Sequence, residues 1–125
     1  MQLTNNTAIT SVCETKDGAT ETNPVVIIET YRDGTQWYRK YSDGVIEQGG
    51  YLTGLELNKE KSFDFVTPFT DATSVNVHLT NIFTGTNTNY RGGLAISSVS
   101  TINFVVYSDG FVTNATTGYW EARGI

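Results

Sequence analysis

An all-β fold, a small antiparallel sandwich or partly open barrel, is predicted by three observations. Short apolar stretches recur with period-two alternation and never with helical periodicity. Turn signals, above all Asp-Gly, separate them. The composition is rich in Thr, Asn and Gly and poor in Lys, Glu and Ala, a bias toward strands and turns over helices.

The elements follow in chain order. Residues 1–24 are polar and Thr/Asn-rich, with only Ile9 and Val12 as core material, and read as an entry segment or the remnant of a shaft. Asn23-Pro24 closes this stretch, because a residue before Pro is pushed to extended geometry. Residues 25–125 then form one domain, of ordinary size for a single core. Val25–Tyr31 is apolar on both faces and is expected to be a buried strand, with Tyr31-Arg32-Asp33-Gly34 as the turn after it. Trp37–Tyr41 and Val45–Gln48 flank a hairpin turn at Ser42-Asp43-Gly44. There Asp takes the bridge position of a type I turn and Gly the left-handed position after it. Leu55 and Leu57 alternate before a charged turn at 58–61, and Phe63 and Phe65 after it, with Pro68 ending that strand or placing it at an edge. Val75, Val77 and Leu79 alternate with Asn76, His78 and Thr80 as a half-buried strand. A polar loop at Thr84–Gly93 is followed by a strand at Thr101–Tyr107 with Ile102, Phe104 and Val106 on one face. A second Tyr-Ser-Asp-Gly at Tyr107–Gly110 turns into Phe111-Val112, and Tyr119–Arg123 is the last strand.

Several function classes are disfavoured. A net charge of −5 with scattered basic residues argues against nucleic-acid binding, which needs a basic patch to neutralise phosphates. One cysteine, Cys13, excludes an intrachain disulfide, and with a single histidine it excludes a structural zinc site. No cofactor is called for. The start, Met1-Gln2-Leu3-Thr4-Asn5, lacks the charged and apolar regions of a signal peptide. The longest apolar run, Val25–Ile28, is far too short to insert in a membrane.

The segment Trp37-Tyr38-Arg39-Lys40-Tyr41-Ser42-Asp43-Gly44-Val45-Ile46-Glu47-Gln48-Gly49-Gly50 resembles the C-terminal domains of phage and prophage tail fibres. Those domains carry a Tyr-Arg-x-Tyr-Ser-Asp-Gly-aromatic-x-Glu-Gln-x-Gly signature. Thr67-Pro68-Phe69 is similar to their middle element and Trp120-Glu121-Ala122-Arg123-Gly124 to their last, in the family's order. Val45 stands where an aromatic is usual, and Gly49 where a bulky residue is common. The resemblance implies a homotrimeric, non-enzymatic domain at a fibre tip. Such a domain is made in the bacterial cytoplasm, carried on the virion, and recognises a cell-surface receptor, often a saccharide.

The hairpin residues Trp37, Tyr41, Asp43 and Gly44 read as structural: the first two pack the strands and the last two shape the turn. Glu47-Gln48 reads as a hydrogen-bonding pair at a strand end that positions the next loop, with a sugar-binding pair as the alternative. His78, the only imidazole, is expected on the surface or in an interface, unless three copies meet at a trimer axis and hold a metal. Receptor binding is assigned to the Thr84–Gly93 loop through Asn87, Asn89, Tyr90 and Arg91. These combine an aromatic face with amide and guanidinium groups suited to a sugar. A plain solvated loop or a trimer contact is the competing reading.

Three functions follow in order of preference. The first is a receptor-binding fibre tip acting by multivalent adhesion. The second is a trimerising cap without receptor contact. The third is a polysaccharide depolymerase, which needs two carboxyl groups about 5–9.5 Å apart. Glu47, Glu56, Asp64, Asp71, Asp109 and Glu121 are its candidates, and no pair stands out.

Overall fold

The computed structural model describes residues 24–83, 93–109 and 116–125. These form eight strands: β1 (Ile27–Asp33), β2 (Gln36–Tyr41), β3 (Ile46–Leu52), β4 (Lys59–Asp64), β5 (Asn76–Phe83), β6 (Gly93–Val99), β7 (Asn103–Asp109) and β8 (Thr116–Gly124). A single 3-10 turn at Ala72–Ser74 precedes β5. The strands make two antiparallel sheets, one in the order β1-β2-β3-β8-β5 and the other β4-β7-β6. The fold is a two-sheet all-β architecture and not a closed barrel. No α-helix occurs among the described residues, so none is long and apolar enough to cross a membrane.

Alternation along the central strands builds the core. On β3 the side chains of Ile46, Gln48 and Leu52 point inward and are buried, as are Trp120 and Ala122 on β8. The small sheet answers with Phe104 and Val106 of β7. The Phe104 and Trp120 rings meet at 5.0 Å across the two sheets, and Phe65 joins them at 5.3 Å from Phe104. Phe69 closes the cluster edge-on to Phe65 at 4.8 Å. Burying each such side chain stabilises the fold by about 1.5–3 kcal/mol.

Gln48 is polar and completely buried, yet satisfied. Its Nε2 donates to the Thr67 carbonyl at 2.8 Å, and its Oε1 accepts from the Thr67 N–H at 3.0 Å. The side-chain amide thereby imitates a strand partner and fastens the Thr67-Pro68-Phe69 step to β3. The loop-positioning expected of the Glu47-Gln48 pair thus holds for Gln48 alone, and on the 67–69 step beyond β4 rather than on the loop that follows β3. Glu47 bonds Tyr41 and Arg123.

The Ser42-Asp43-Gly44 turn has the predicted chemistry. Gly44 N–H donates to the Tyr41 carbonyl at 3.0 Å, and Asp43 Oδ1 accepts from Val45 N–H at 3.0 Å. Gly44 takes φ +93°, a left-handed value that a residue with a Cβ resists.

Several expectations are corrected. Val25–Tyr31 is not a buried strand: β1 starts at Ile27, lies at the edge of its sheet and is exposed throughout. None of its residues enters the core. The turn expected at 31–34 falls later, at Gly34-Thr35, because Arg32 and Asp33 still pair with Trp37 and Gln36. Leu55 and Leu57 lie in a loop, and the charged residues Lys59–Lys61 belong to β4, paired with β7. Ile102 precedes β7 and is exposed, while Phe104 and Val106 face the core as expected. β7 continues to Asp109, past the position where a turn was expected. β6 was not anticipated at all. Residues 1–23, which hold Cys13 and most of the entry segment, lie outside the described residues.

Candidate functional site

The outward face of the five-stranded sheet collects polar and aromatic side chains in register. One row across it runs Arg32, Trp37, Gly49, Glu121, His78, one residue from each strand. The adjacent row runs Thr30, Arg39, Glu47, Arg123, Asn76. Period-two alternation keeps both rows on one face, opposite the core.

At the centre of the first row Gly49 offers no side chain, and the Trp37 indole fills the gap. A Cβ at Gly49 would lie 2.7 Å from Trp37 Nε1 and 2.9 Å from Trp37 Cε2. The pyrrole edge of the indole therefore rests on the β3 backbone, and the ring is half-buried. The Arg39 guanidinium stands 5.0 Å from the ring centroid, within cation–π range.

Beside Trp37 opens a groove of about 420 Å³, lined in part by Glu47, Asn76, His78, Glu121 and Arg123. Two smaller hollows, of about 250 and 240 Å³, also border Trp37. Glu47 is held by two neighbours. The Tyr41 hydroxyl donates to its Oε1, and Arg123 Nη1 donates to its Oε2 at 2.8 Å. The Tyr41 bond, followed by the Arg123 charge, holds the Glu47 carboxyl below its ordinary value, and the same bond raises the Tyr41 hydroxyl. Glu121 and His78 face each other across β8 and β5 without an ion pair among the described residues. An aromatic wall beside amide, carboxylate and guanidinium groups is the chemistry that takes a sugar, C–H face on the ring and hydroxyls on the polar groups.

The sequence-predicted residues fare differently. Asn87, Asn89, Tyr90 and Arg91 all lie outside the described residues. Asp43 and Gly44 shape the hairpin turn, and Tyr41 braces Glu47. Trp37, expected only to pack strands, is both packed on Gly49 and open to the groove. His78 is on the surface of the groove, beside Glu121. Asn76, Glu121 and Arg123 were not singled out as one site. They meet Trp37 only through the pairing of β3 with β8 and of β8 with β5, strands far apart in sequence. Among the described residues no group of three or more His, Cys, Asp or Glu side chains is arranged to hold a metal.

No protein-family model matches the chain, and no curated protein matches it. Solved structures do. An N-truncated R1-type pyocin tail fibre aligns with TM-score 0.63 at 19% identity, over 82% of this chain and 86% of that one. The fold is that of the pyocin tail fibres. A selenomethionine structure of an N-truncated R2-type pyocin tail fibre shares the tail-fibre fold with TM-score 0.61 and 19% identity, over 82% of this chain. A C-terminal fragment of the P. aeruginosa R2 pyocin fibre gives TM-score 0.62 at 19% identity, again over 82%. The chain spans 38% and 26% of those two longer fibre chains. The tail-fibre fold accounts for the order of the three motif blocks. The first makes the β2–β3 hairpin, the second is the step that Gln48 fastens, and the third is β8 between β3 and β5.

Proposed function

We propose that this chain is a tail-fibre domain that recognises a receptor on the bacterial surface, and that the receptor is a saccharide held on the outward face around Trp37. The observation that carries this reading is the half-buried indole seated on Gly49 and bordering the groove, at the centre of a cross-sheet row of hydrogen-bonding side chains, on a fold shared with pyocin tail fibres. The action is binding without chemistry. Glu47, the best-placed carboxylate of the groove, is committed to Tyr41 and Arg123.

The domain would work as a homotrimer on a virion or a phage-like particle. Repetition of a weak site supplies avidity that one groove cannot. The exposed strip of Val25, Ile27, Ile28 and Tyr31 supports an assembled state, since it is apolar surface for a second copy to cover.

Competition is the test. Soluble protein is expected to block adsorption of the parent particle to susceptible cells, and the Trp37→Ala variant to lose the block while staying folded. Full blocking by Trp37→Ala would remove the site from this face.

A further inference from the structure

The hollow of about 240 Å³ on the outward side of β1 and β2 has a character of its own. Thr30, Tyr31, Arg32, Trp37, Tyr38 and Arg39 line it. Arg32 pairs directly with Trp37 across the strands, so Arg32 and Arg39 occupy diagonal positions, about 7–8 Å apart at the backbone. Guanidinium side chains are long enough for both to reach one group bound between them, with that of Arg39 beside the Trp37 ring. Both are exposed, and neither makes an ion pair among the described residues.

The carboxylates that would quench them are turned away or occupied. Glu29 lies on the opposite face of β1, held by the Tyr38 hydroxyl at 2.7 Å and by Lys40 at 3.3 Å. Glu47 faces Arg39 directly across β2 and β3 and feels its charge. Its two carboxylate oxygens are held by Tyr41 and Arg123, and it makes no ion pair with Arg39 among the described residues. Glu121 stands three strands from Arg32, roughly 14 Å at the backbone; the two border the same hollow of about 250 Å³ without an ion pair among the described residues. The chain carries −5 overall, yet three of its four arginines, Arg32, Arg39 and Arg123, project from this one face.

We propose that the cleft between Arg32 and Arg39 binds the anionic group of a saccharide, a carboxylate or a phosphate, while the sugar ring lies on Trp37. Guanidinium forks match both anions in a bidentate manner, and the bonds are charge-assisted. The cleft confers selectivity on the proposed receptor surface, and it rests on that reading for its biological setting but not for its chemistry.

The test is a titration followed through the Trp37 indole N–H resonance, which is one of only two tryptophan signals and is assigned with Trp37→Phe. Three probes are compared: methyl glucuronide, glucose 6-phosphate and the uncharged methyl glucoside. At least one charged probe is expected to bind ten-fold or more tightly than the glucoside. In Arg32→Gln/Arg39→Gln the preference is expected to fall to within two-fold. Arg32→Gln alone, at the sheet edge, serves if the double variant does not fold. Preference for only one charged probe identifies the anion and upholds the cleft. Equal response to all three, no response, or a preference that survives the substitutions overturns it. The adsorption assay separates this from the receptor reading. Probe selectivity without blocking of adsorption keeps the cleft and removes the receptor role, and blocking without selectivity does the reverse.

Discussion

The Trp37 indole lies over Gly49, with its Nε1 2.7 Å from where a Cβ would stand. One residue on, Trp120 lies over Gly50 from the core side, with its Nε1 2.7 Å from the corresponding Cβ position. Two consecutive glycines in a central strand thus seat one indole on each face of the sheet. The departure at Gly49 from the bulky residue common in tail-fibre sequences acquires a physical reason: it seats the platform. Gly49→Ala places a methyl 2.7 Å from both the Trp37 indole and the Trp120 carbonyl oxygen, and the latter belongs to the backbone and has little room to yield. A loss of about 1–3 kcal/mol is expected in urea unfolding, as for overpacking in general. Adsorption blocking should weaken as the indole lifts.

Gln48 yields a sharper stability test. Gln48→Leu strands both the N–H and the carbonyl of Thr67 in the core and is expected to cost about 2–3 kcal/mol. Gln48→Glu behaves conditionally. A protonated carboxyl reproduces both bonds, whereas the ionised form cannot donate to Thr67. Burial raises the folded pKa of that glutamate, so stability is full below its unfolded pKa of about 4.3. It is lost as the pH rises through the folded pKa. Unfolding midpoints at pH 4 and pH 7 check this: the deficit relative to wild type should be much smaller at pH 4.

Tyr41 and Glu47 set a pH window. The Glu47 carboxyl is depressed below 4.5, chiefly by the Tyr41 bond, so its contribution is present above that value and lost as the pH falls through the folded pKa. The Tyr41 hydroxyl is raised above 10.0 by Glu47, so its contribution is present below that value and lost as the pH rises through the folded pKa. Glu47→Gln is expected to cost about 1 kcal/mol at pH 7, the scale of a charge-assisted hydrogen bond on a partly buried group. The cost should vanish in strong acid, which thermal melts across the range will show.

The exposed apolar edge separates folding from assembly. Ile28 is 65% exposed on β1, so Ile28→Asp should leave the unfolding free energy of a monomer within about 0.5 kcal/mol. If copies of the chain meet there, the same change buries an unpaired charge and shifts sedimentation to the monomer.

Local chemistry was legible in the sequence, and long-range pairing was not. The turn at Asp43-Gly44 and the alternation of Val77 and Leu79 with His78 are written within a few residues, and both stand in the structure. A hydrogen-bonding role for Glu47-Gln48 was legible, since the pair belongs to a recurring signature, but the partner of Gln48, Thr67 beyond β4, was not. The two-sided apolar run at Val25–Tyr31 misled, because hydrophobicity on both faces marks either a central strand or an edge that a partner covers, and the sequence does not state which. Gly93–Val99 carries no clear strand signal, since Ser97 and Ser98 blunt its alternation, and a bulge between Ile96 and Ser98 shifts its register. The candidate site stayed hidden because Trp37, Glu121 and His78 share a row only through pairing of β3 with β8 and β8 with β5.

Adsorption of the parent particle to susceptible cells, in the presence of wild-type protein or of Trp37→Ala at equal folded concentration, tests the central claim most directly. The account predicts that wild type competes and that Trp37→Ala loses at least ten-fold in blocking potency. Equal potency of the two, or no competition by wild type on any susceptible strain, would contradict it.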